Sequence, residues 1–244
     1  MSSGLTCIVP LAGPDVVQPG GRIKPLSEVE GMPLVERAIT SRRWWREGLV
    51  NSSGLIFVLR SDLPETAVID RVLQTRFPGC RTVRLGGLTR GALLSAMAGS
   101  ALVDRFDTPL CIDLVDILYE IDPGPVAAFL SDPGADGLVP WFRASEPSYS
   151  YLVTDDAGHV TETAEKRVIS QRASAGTYFF RNAAVFLKAA AWSMTATRDG
   201  PNGGPVFVCP AYNGLIEAGG RIDAIEVHEV VPLSPAFHAP MGAG

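Results

Sequence analysis

Leu5-Thr-Cys-Ile-Val-Pro-Leu11 runs uncharged into Ala12-Gly-Pro-Asp-Val-Val-Gln-Pro-Gly-Gly-Arg-Ile-Lys-Pro-Leu26. The first seven residues predict a strand buried on both faces. The second stretch predicts a loop rich in Gly and Pro at its end. A loop of this kind exposes backbone N–H groups that can cradle phosphate, with Lys24 as a point charge beside them. By itself it also fits an ordinary surface loop.

Outward from this start the pattern alternates. Pro33 opens a helix that runs to about Gly48, with apolar spacing through Leu34, Ala38 and Ile39. Leu55–Leu59 is a second buried strand, Glu65–Phe77 a helix, Arg81–Leu85 a third strand, Gly91–Val103 a helix, and Pro109–Asp116 a fourth strand. Apolar strands alternating with helices predict a parallel sheet covered on both faces. The second half changes character. Gly137–Phe142 is a strand, Tyr149–Thr154 and His159–Ala164 form a hairpin about Asp156-Ala-Gly158, and Ser174–Phe180 is a strand. Ala183–Met194 is a helix, residues 195–205 a loop, Tyr212–Ala218 a helix and Ile222–Val231 a last strand. The expected fold is one α/β domain with a mixed, mostly parallel sheet. Residues 5–120 form its first half, 121–231 its second half and 232–244 a tail.

Composition narrows the classes. The chain has 244 residues, 46% of them hydrophobic and 19% charged, which supplies a large core and excludes wholesale disorder. The longest apolar runs fall far short of a membrane span. Met1-Ser-Ser-Gly has no basic n-region, so no signal peptide is read. A net charge of −5 argues against a broad nucleic-acid footprint. The four cysteines have no CxxC or metal-ligand spacing and read as buried thiols, which points to the cytoplasm. Of the 21 basic residues only Lys24, Lys166 and Lys188 are lysines, so a retained Lys marks a place for a compact ammonium. His159, His228 and His238 form no triad with a Ser or Cys. Trp44 and Trp45 read as core packing or a homodimer contact.

Four further segments carry chemistry. In Leu88-Thr-Arg-Gly-Ala-Leu93, Thr89 reads as a helix N-cap and Gly91 as a point of close ligand approach. Asp113 and Asp116, at the end of an apolar strand, read as metal-holding acids or as turn caps. Glu165-Lys166 is an acid–base pair on opposite faces of a strand edge. Asn213 reads as a cap or a ligand contact.

The ordered set is more specific than its parts. Ile8-Val-Pro-Leu-Ala-Gly13, Lys24-Pro-Leu-Ser-Glu-Val-Glu-Gly-Met-Pro-Leu-Val-Glu36, Leu88-Thr-Arg-Gly-Ala92 and Pro109-Leu-Cys-Ile112…Asp116 come first. Ser148-Tyr-Ser-Tyr151, Glu165-Lys-Arg-Val-Ile-Ser170, Ala173-Ser-Ala-Gly-Thr-Tyr-Phe-Phe180 and Val206-Phe-Val-Cys-Pro-Ala-Tyr-Asn213 follow. Across residues 5–231 the chain resembles the sugar-phosphate nucleotidyltransferases, in their small bacterial capsule and secondary-metabolite branch. The resemblance implies a glycosyltransferase-A-like Rossmann fold. It also implies transfer of a nucleoside monophosphate from a triphosphate to a phosphorylated sugar, polyol or amino-acid-derived acceptor, with release of pyrophosphate. It implies catalytic roles for Lys24, Asp116 and Lys166, with Asp116 holding Mg²⁺. Leu11, Ala12, Gly13, Arg22, Thr89 and Gly91 are expected on the nucleotide, and Glu165, Lys166 and Asn213 on the acceptor.

The chain departs from the family in its first loop. Val17 stands where the family's phosphate-loop Arg is expected, and Asp15 adds a negative charge. The tail Pro232-Leu-Ser replaces the usual Gly-Thr-Pro. Two alternatives follow: a diverged member that binds nucleotide, sugar nucleotide or a protein partner without turnover, and a glycosyltransferase using Asp113 and Asp116 as its metal acids.

Overall fold

The computed structural model describes residues 4–196 and 204–233. Most of the predicted 195–205 loop, the tail from 234 on (His238 included) and residues 1–3 lie outside them.

Strands and helices follow in the order β1 (Thr6–Pro10), β2 (Glu28–Val29), β3 (Met32–Pro33), α1 (Leu34–Ser41), α2 (Arg43–Arg46), β4 (Leu55–Arg60), α3 (Thr66–Arg76), β5 (Arg81–Leu85), α4 (Ala92–Ser100), β6 (Leu110–Asp113), β7 (Ile117–Glu120) and α5 (Pro125–Ser131). Then come β8 (Gly137–Arg143), β9 (Ser150–Thr154), β10 (Val160–Glu165), β11 (Arg172–Ser174), β12 (Thr177–Phe180), α6 (Ala183–Ala196), α7 (Tyr212–Glu217), β13 (Ile222–Glu226) and β14 (His228–Pro232).

One ten-stranded mixed sheet runs through both halves in the order β10-β9-β11-β8-β12-β6-β1-β4-β5, with β13 also paired to β8. The β6-β1-β4-β5 portion is parallel. Beyond β6 the pairing is antiparallel through β12, β8, β11, β9 and β10, except that β13 lies parallel to β8. Strand alternation explains why β1 is apolar throughout. Cys7 and Val9 enter one core with α1–α3 and α5, whereas Ile8 enters a second core with α4, α6 and α7. α4 presses closely on the sheet: a Cβ on Gly99 would lie 2.6 Å from Ile8 Cγ2.

Several predicted elements break where the chain turns inward. The helix expected over 33–48 stops at Arg42, which is extended (φ −62°, ψ 133°) and separates α1 from α2. The strand expected to reach Asp116 ends at Asp113, because Val115 is left-handed at φ 52°. The strand expected over Ser174–Phe180 divides at Gly176 (φ 75°). The last strand divides at Val227: β13 joins the main sheet, and β14 pairs with β7 in a small separate ribbon. The 3.6 and 2.0 periodicities do not register such one-residue reversals. α5 and β7 were not predicted.

Trp44 is buried between Tyr119 and Phe179, and Trp45 packs edge-on to Phe77, so both tryptophans serve the core. All four cysteines are free and buried. Among the described residues no helix is long and apolar enough to cross a membrane.

Candidate active site

A cavity of about 640 Å³ opens at the carboxyl ends of β1, β5 and β6, where open α/β sheets place their ligands. The second half closes it through the start of β9, the end of β10 and the β11–β12 turn. Leu11, Ala12, Gly13, Lys24, Thr89, Gly91, Asp116, Glu165 and Lys166 all line it.

The first wall carries a charge cluster. Lys24, only 11% exposed, places its Nζ 2.7 Å from Asp116 Oδ1 and also binds Asp15 Oδ2. Burial works against the Lys24 ammonium, but Asp116 and Asp15 outweigh it and hold its pKa above the usual value. Burial likewise pushes the Asp116 carboxyl above the usual range, and Lys24 offsets this only in part. Two carboxylates around one ammonium leave this wall net negative. Among the described residues no three His, Cys, Asp or Glu gather into a metal cage. Mg²⁺ typically needs only one or two carboxylates, because substrate phosphates and water complete its shell. Asp116, with Asp15 close by, fits that requirement.

The opposite wall carries Glu165 and Lys166. Lys166 is left-handed at φ 51°, and its N–H donates to Tyr149 O at 3.0 Å. Its ammonium lies 5.2 Å from the centroid of the Phe207 ring. Ser150 Oγ donates to Glu165 Oε2, yet burial raises the Glu165 pKa above the usual range.

The third wall is the turn before α4. Thr89 is not the helix cap expected from the sequence: Gly91 holds that position, without a side-chain bond. Thr89 Oγ1 instead donates to Gly91 O at 3.0 Å and lies 2.8 Å from Ser95 Oγ. Gly91 has φ 131°, and a Cβ there would lie 2.2 Å from Val206 O. The group that approaches Gly91 is therefore the Val206 backbone, whose N–H donates to Arg90 O at 2.6 Å and whose carbonyl accepts from Leu93 N at 3.2 Å.

Three expected contacts fall elsewhere. Arg22 is exposed and donates from Nε to Gln18 Oε1 at 2.7 Å, outside the cavity lining. The bridge between Val17 and Ile23 folds Gln18–Arg22 into a small turn that carries Arg22, Gly20 and Gly21 outside that lining. Val17 packs on the first core. Asn213 also lies outside the lining: its Oδ1 accepts from Thr163 N–H at 2.8 Å and its Nδ2 donates to Thr163 O at 2.9 Å, fastening α7 to β10. Asp113, one of the two acids the glycosyltransferase alternative needed, is 1% exposed and engaged by Arg42. That alternative loses one of its ligands.

The sequence assigns no individual role to Tyr149, Ser150 and Phe207, which lie within the motifs that carry the resemblance, and none at all to Arg42. Arg42 carried a signal: it continues the apolar helical face of Val35, Ala38 and Ile39 at the i+3, i+4 and i+7 positions. A charge on that face needs a buried partner.

No protein-family model matches this chain, and no curated protein does. Solved structures do. The chain is similar to a nucleoside-diphosphate-sugar pyrophosphorylase from Vibrio cholerae RC9 at 20% identity and a TM-score of 0.76, over 96% of this chain and 98% of that one. It is similar to a UDP-glucose pyrophosphorylase complexed with UDP-glucose at 15% identity and a TM-score of 0.69, over 91% and 90%. It is similar to an inositol-1-phosphate CTP transferase from T. maritima at 11% identity and a TM-score of 0.70, over 95% and 88%. These likenesses establish the fold.

Proposed function

We propose that residues 5–231 form one nucleotidyltransferase domain. It would join a nucleoside monophosphate from a triphosphate to a phosphorylated sugar, polyol or amino-acid-derived acceptor. The observation that carries this reading is the convergence of two Lys–acid pairs on one cavity. Lys24 with Asp116 comes from the loop after β1 and the end of β6, and Lys166 with Glu165 comes from the end of β10. The fold shared with the pyrophosphorylases and the CTP transferase supports it.

In the reaction an acceptor phosphate oxygen attacks the α-phosphorus. A new P–O bond forms there, the bond to the β-phosphate breaks, and its electron pair leaves with pyrophosphate. Little covalent chemistry falls to the protein, which orients the groups and stabilises charge. Lys166, restrained by Phe207 and its own backbone bond, holds the acceptor phosphate in line. Lys24 holds the triphosphate once phosphate oxygens compete with Asp15 and Asp116. Leu11, Ala12, Gly13, Thr89 and Gly91 frame the nucleotide, and Glu165 meets acceptor hydroxyls. Mg²⁺ bound through Asp116 would neutralise charge on the phosphates. Partners are thus small molecules, and the reduced cysteines and acidic charge fit a cytoplasmic enzyme.

Asp15 on Lys24, with Val17 packed against the core, also favours a second reading: a relative that binds nucleotide without turnover. Pyrophosphate release separates the two. CTP, UTP, dTTP, GTP and ATP are each assayed with sugar, polyol and amino-acid-derived phosphates, with and without Mg²⁺. Transfer predicts that one triphosphate supports Mg²⁺-dependent release, which Asp116→Asn lowers by about 100-fold or more. Triphosphate binding without release for any pair supports the second reading.

A further inference from the structure

Arg42 lies outside the cavity lining, yet it carries a charge into the core beneath it with 1% of its side chain exposed. Its Nε donates to Asp113 Oδ2 at 2.7 Å, its Nη2 to Asp113 Oδ1 at 2.9 Å and its Nη1 to Ile117 O at 2.9 Å. One rigid guanidinium therefore grips both ends of the stretch Asp113–Ile117. Asp113 Oδ1 also accepts the Val115 N–H at 2.9 Å. Val115 is left-handed, a conformation that a β-branched residue holds only where its surroundings over-determine it. The residue after it is Asp116.

The clamp itself is fixed. The guanidinium carbon lies 4.3 Å from the Tyr119 ring centroid and 5.8 Å from that of Trp44. The Tyr119 hydroxyl is 2.8 Å from Thr177 Oγ1, which ties the arrangement to β12. A buried ion pair adds little stability that packed apolar residues would not supply. What apolar residues cannot supply is a directed grip on a carbonyl, a carboxylate and, through that carboxylate, an amide. Those four bonds set the path of the chain.

We infer that Arg42 is a positioning residue: its fork on Asp113 and its bond to the Ile117 carbonyl hold the Val115 turn that aims Asp116 at Lys24. The consequence for catalysis rests on the proposed nucleotidyl transfer, whereas the geometry does not.

The test compares the wild type, Asp116→Asn, Arg42→Lys and the double variant Arg42→Met with Asp113→Leu. The chain has three lysines, so its ammonium ¹H–¹⁵N signals are few, and Lys24→Arg identifies that of Lys24. The double variant removes both buried charges together, so it should melt within a few degrees of the wild type. Its Lys24 signal should move at least about half as far as it does in Asp116→Asn. Arg42→Lys, which keeps the charge but loses the fork, should move it in the same direction by less. A folded double variant with the Lys24 signal at its wild-type position overturns the inference. If the double variant does not fold, an unmoved signal in Arg42→Lys overturns it equally. Where the wild type releases pyrophosphate, the double variant should lose about tenfold or more in kcat while the triphosphate KM stays within about threefold. Wild-type kcat in the double variant also overturns the inference. A wild type without turnover counts against the proposed function alone and leaves the ammonium signal to decide the positioning.

Discussion

Asp15 puts a carboxylate, 52% exposed, on the ammonium that a triphosphate would need. Like charge at this distance works against phosphate binding. Asp15→Asn should therefore tighten triphosphate binding without Mg²⁺ by about 3- to 10-fold, measured by equilibrium titration at low ionic strength, and salt should shrink the difference. Unchanged affinity would mean that Lys24 does not meet the triphosphate. Glu165 makes a different prediction. Its pKa is raised by burial, so between the usual carboxylate range and its raised value the folded chain binds more protons than the unfolded one. Its contribution to stability is therefore present at acid pH and falls as pH rises through that window. Glu165→Gln should melt about 1–3 °C above the wild type at about pH 8, and the gain should vanish near pH 4. A gain that persists at pH 4 would assign the effect to packing rather than charge.

Between elements, the junction that matters joins the start of α4 to the extended segment at Val206. Val206 bonds to Arg90 and Leu93, and the next residue, Phe207, lies against Lys166. One short segment thus links the turn before α4 to Lys166. Gly91 permits this through its φ of 131° and its missing Cβ. Gly91→Ala should cost about 2–4 kcal/mol in denaturant unfolding and, under the proposed reaction, should weaken both substrates, because the displaced Val206 segment carries Phe207 with it. A cost below about 0.5 kcal/mol would show that the Val206 segment can shift without consequence. Gly91 stands out in the sequence, but its reason does not, because Val206 is distant in the chain. The same holds at Arg42 and Val115. Each ends an element one turn or a few residues before the periodicity does: Arg42 bonds to Asp113 and Ile117, remote in sequence, and Val115 bonds to the Asp113 that Arg42 holds.

At the scale of the molecule, the parallel β6-β1-β4-β5 portion delivers the loops after β1, β5 and β6 to one edge, and the antiparallel portion brings the end of β10 to face them. The alternation of apolar strands and helices made the parallel portion legible, because burial on both faces demands uniformly apolar strands. The hairpin of the second half was legible from Asp156-Ala-Gly158. The motif residues Lys24, Asp116, Glu165 and Lys166 were legible as a set from their order. Local pattern determined this much because helix, strand and turn preferences act over a few residues. Which side chains remain open to a ligand was decided only by the tertiary structure. Asp113 and Asp116 lie three positions apart and look alike in sequence, yet Arg42 engages the first in the core while the second reaches the cavity. Asn213 fastened to Thr163, and Arg22 carried away on its small turn, make the same point. A polar side chain takes whatever partner the fold brings within about 3 Å, and short-range preferences say nothing of partners from distant parts of the chain.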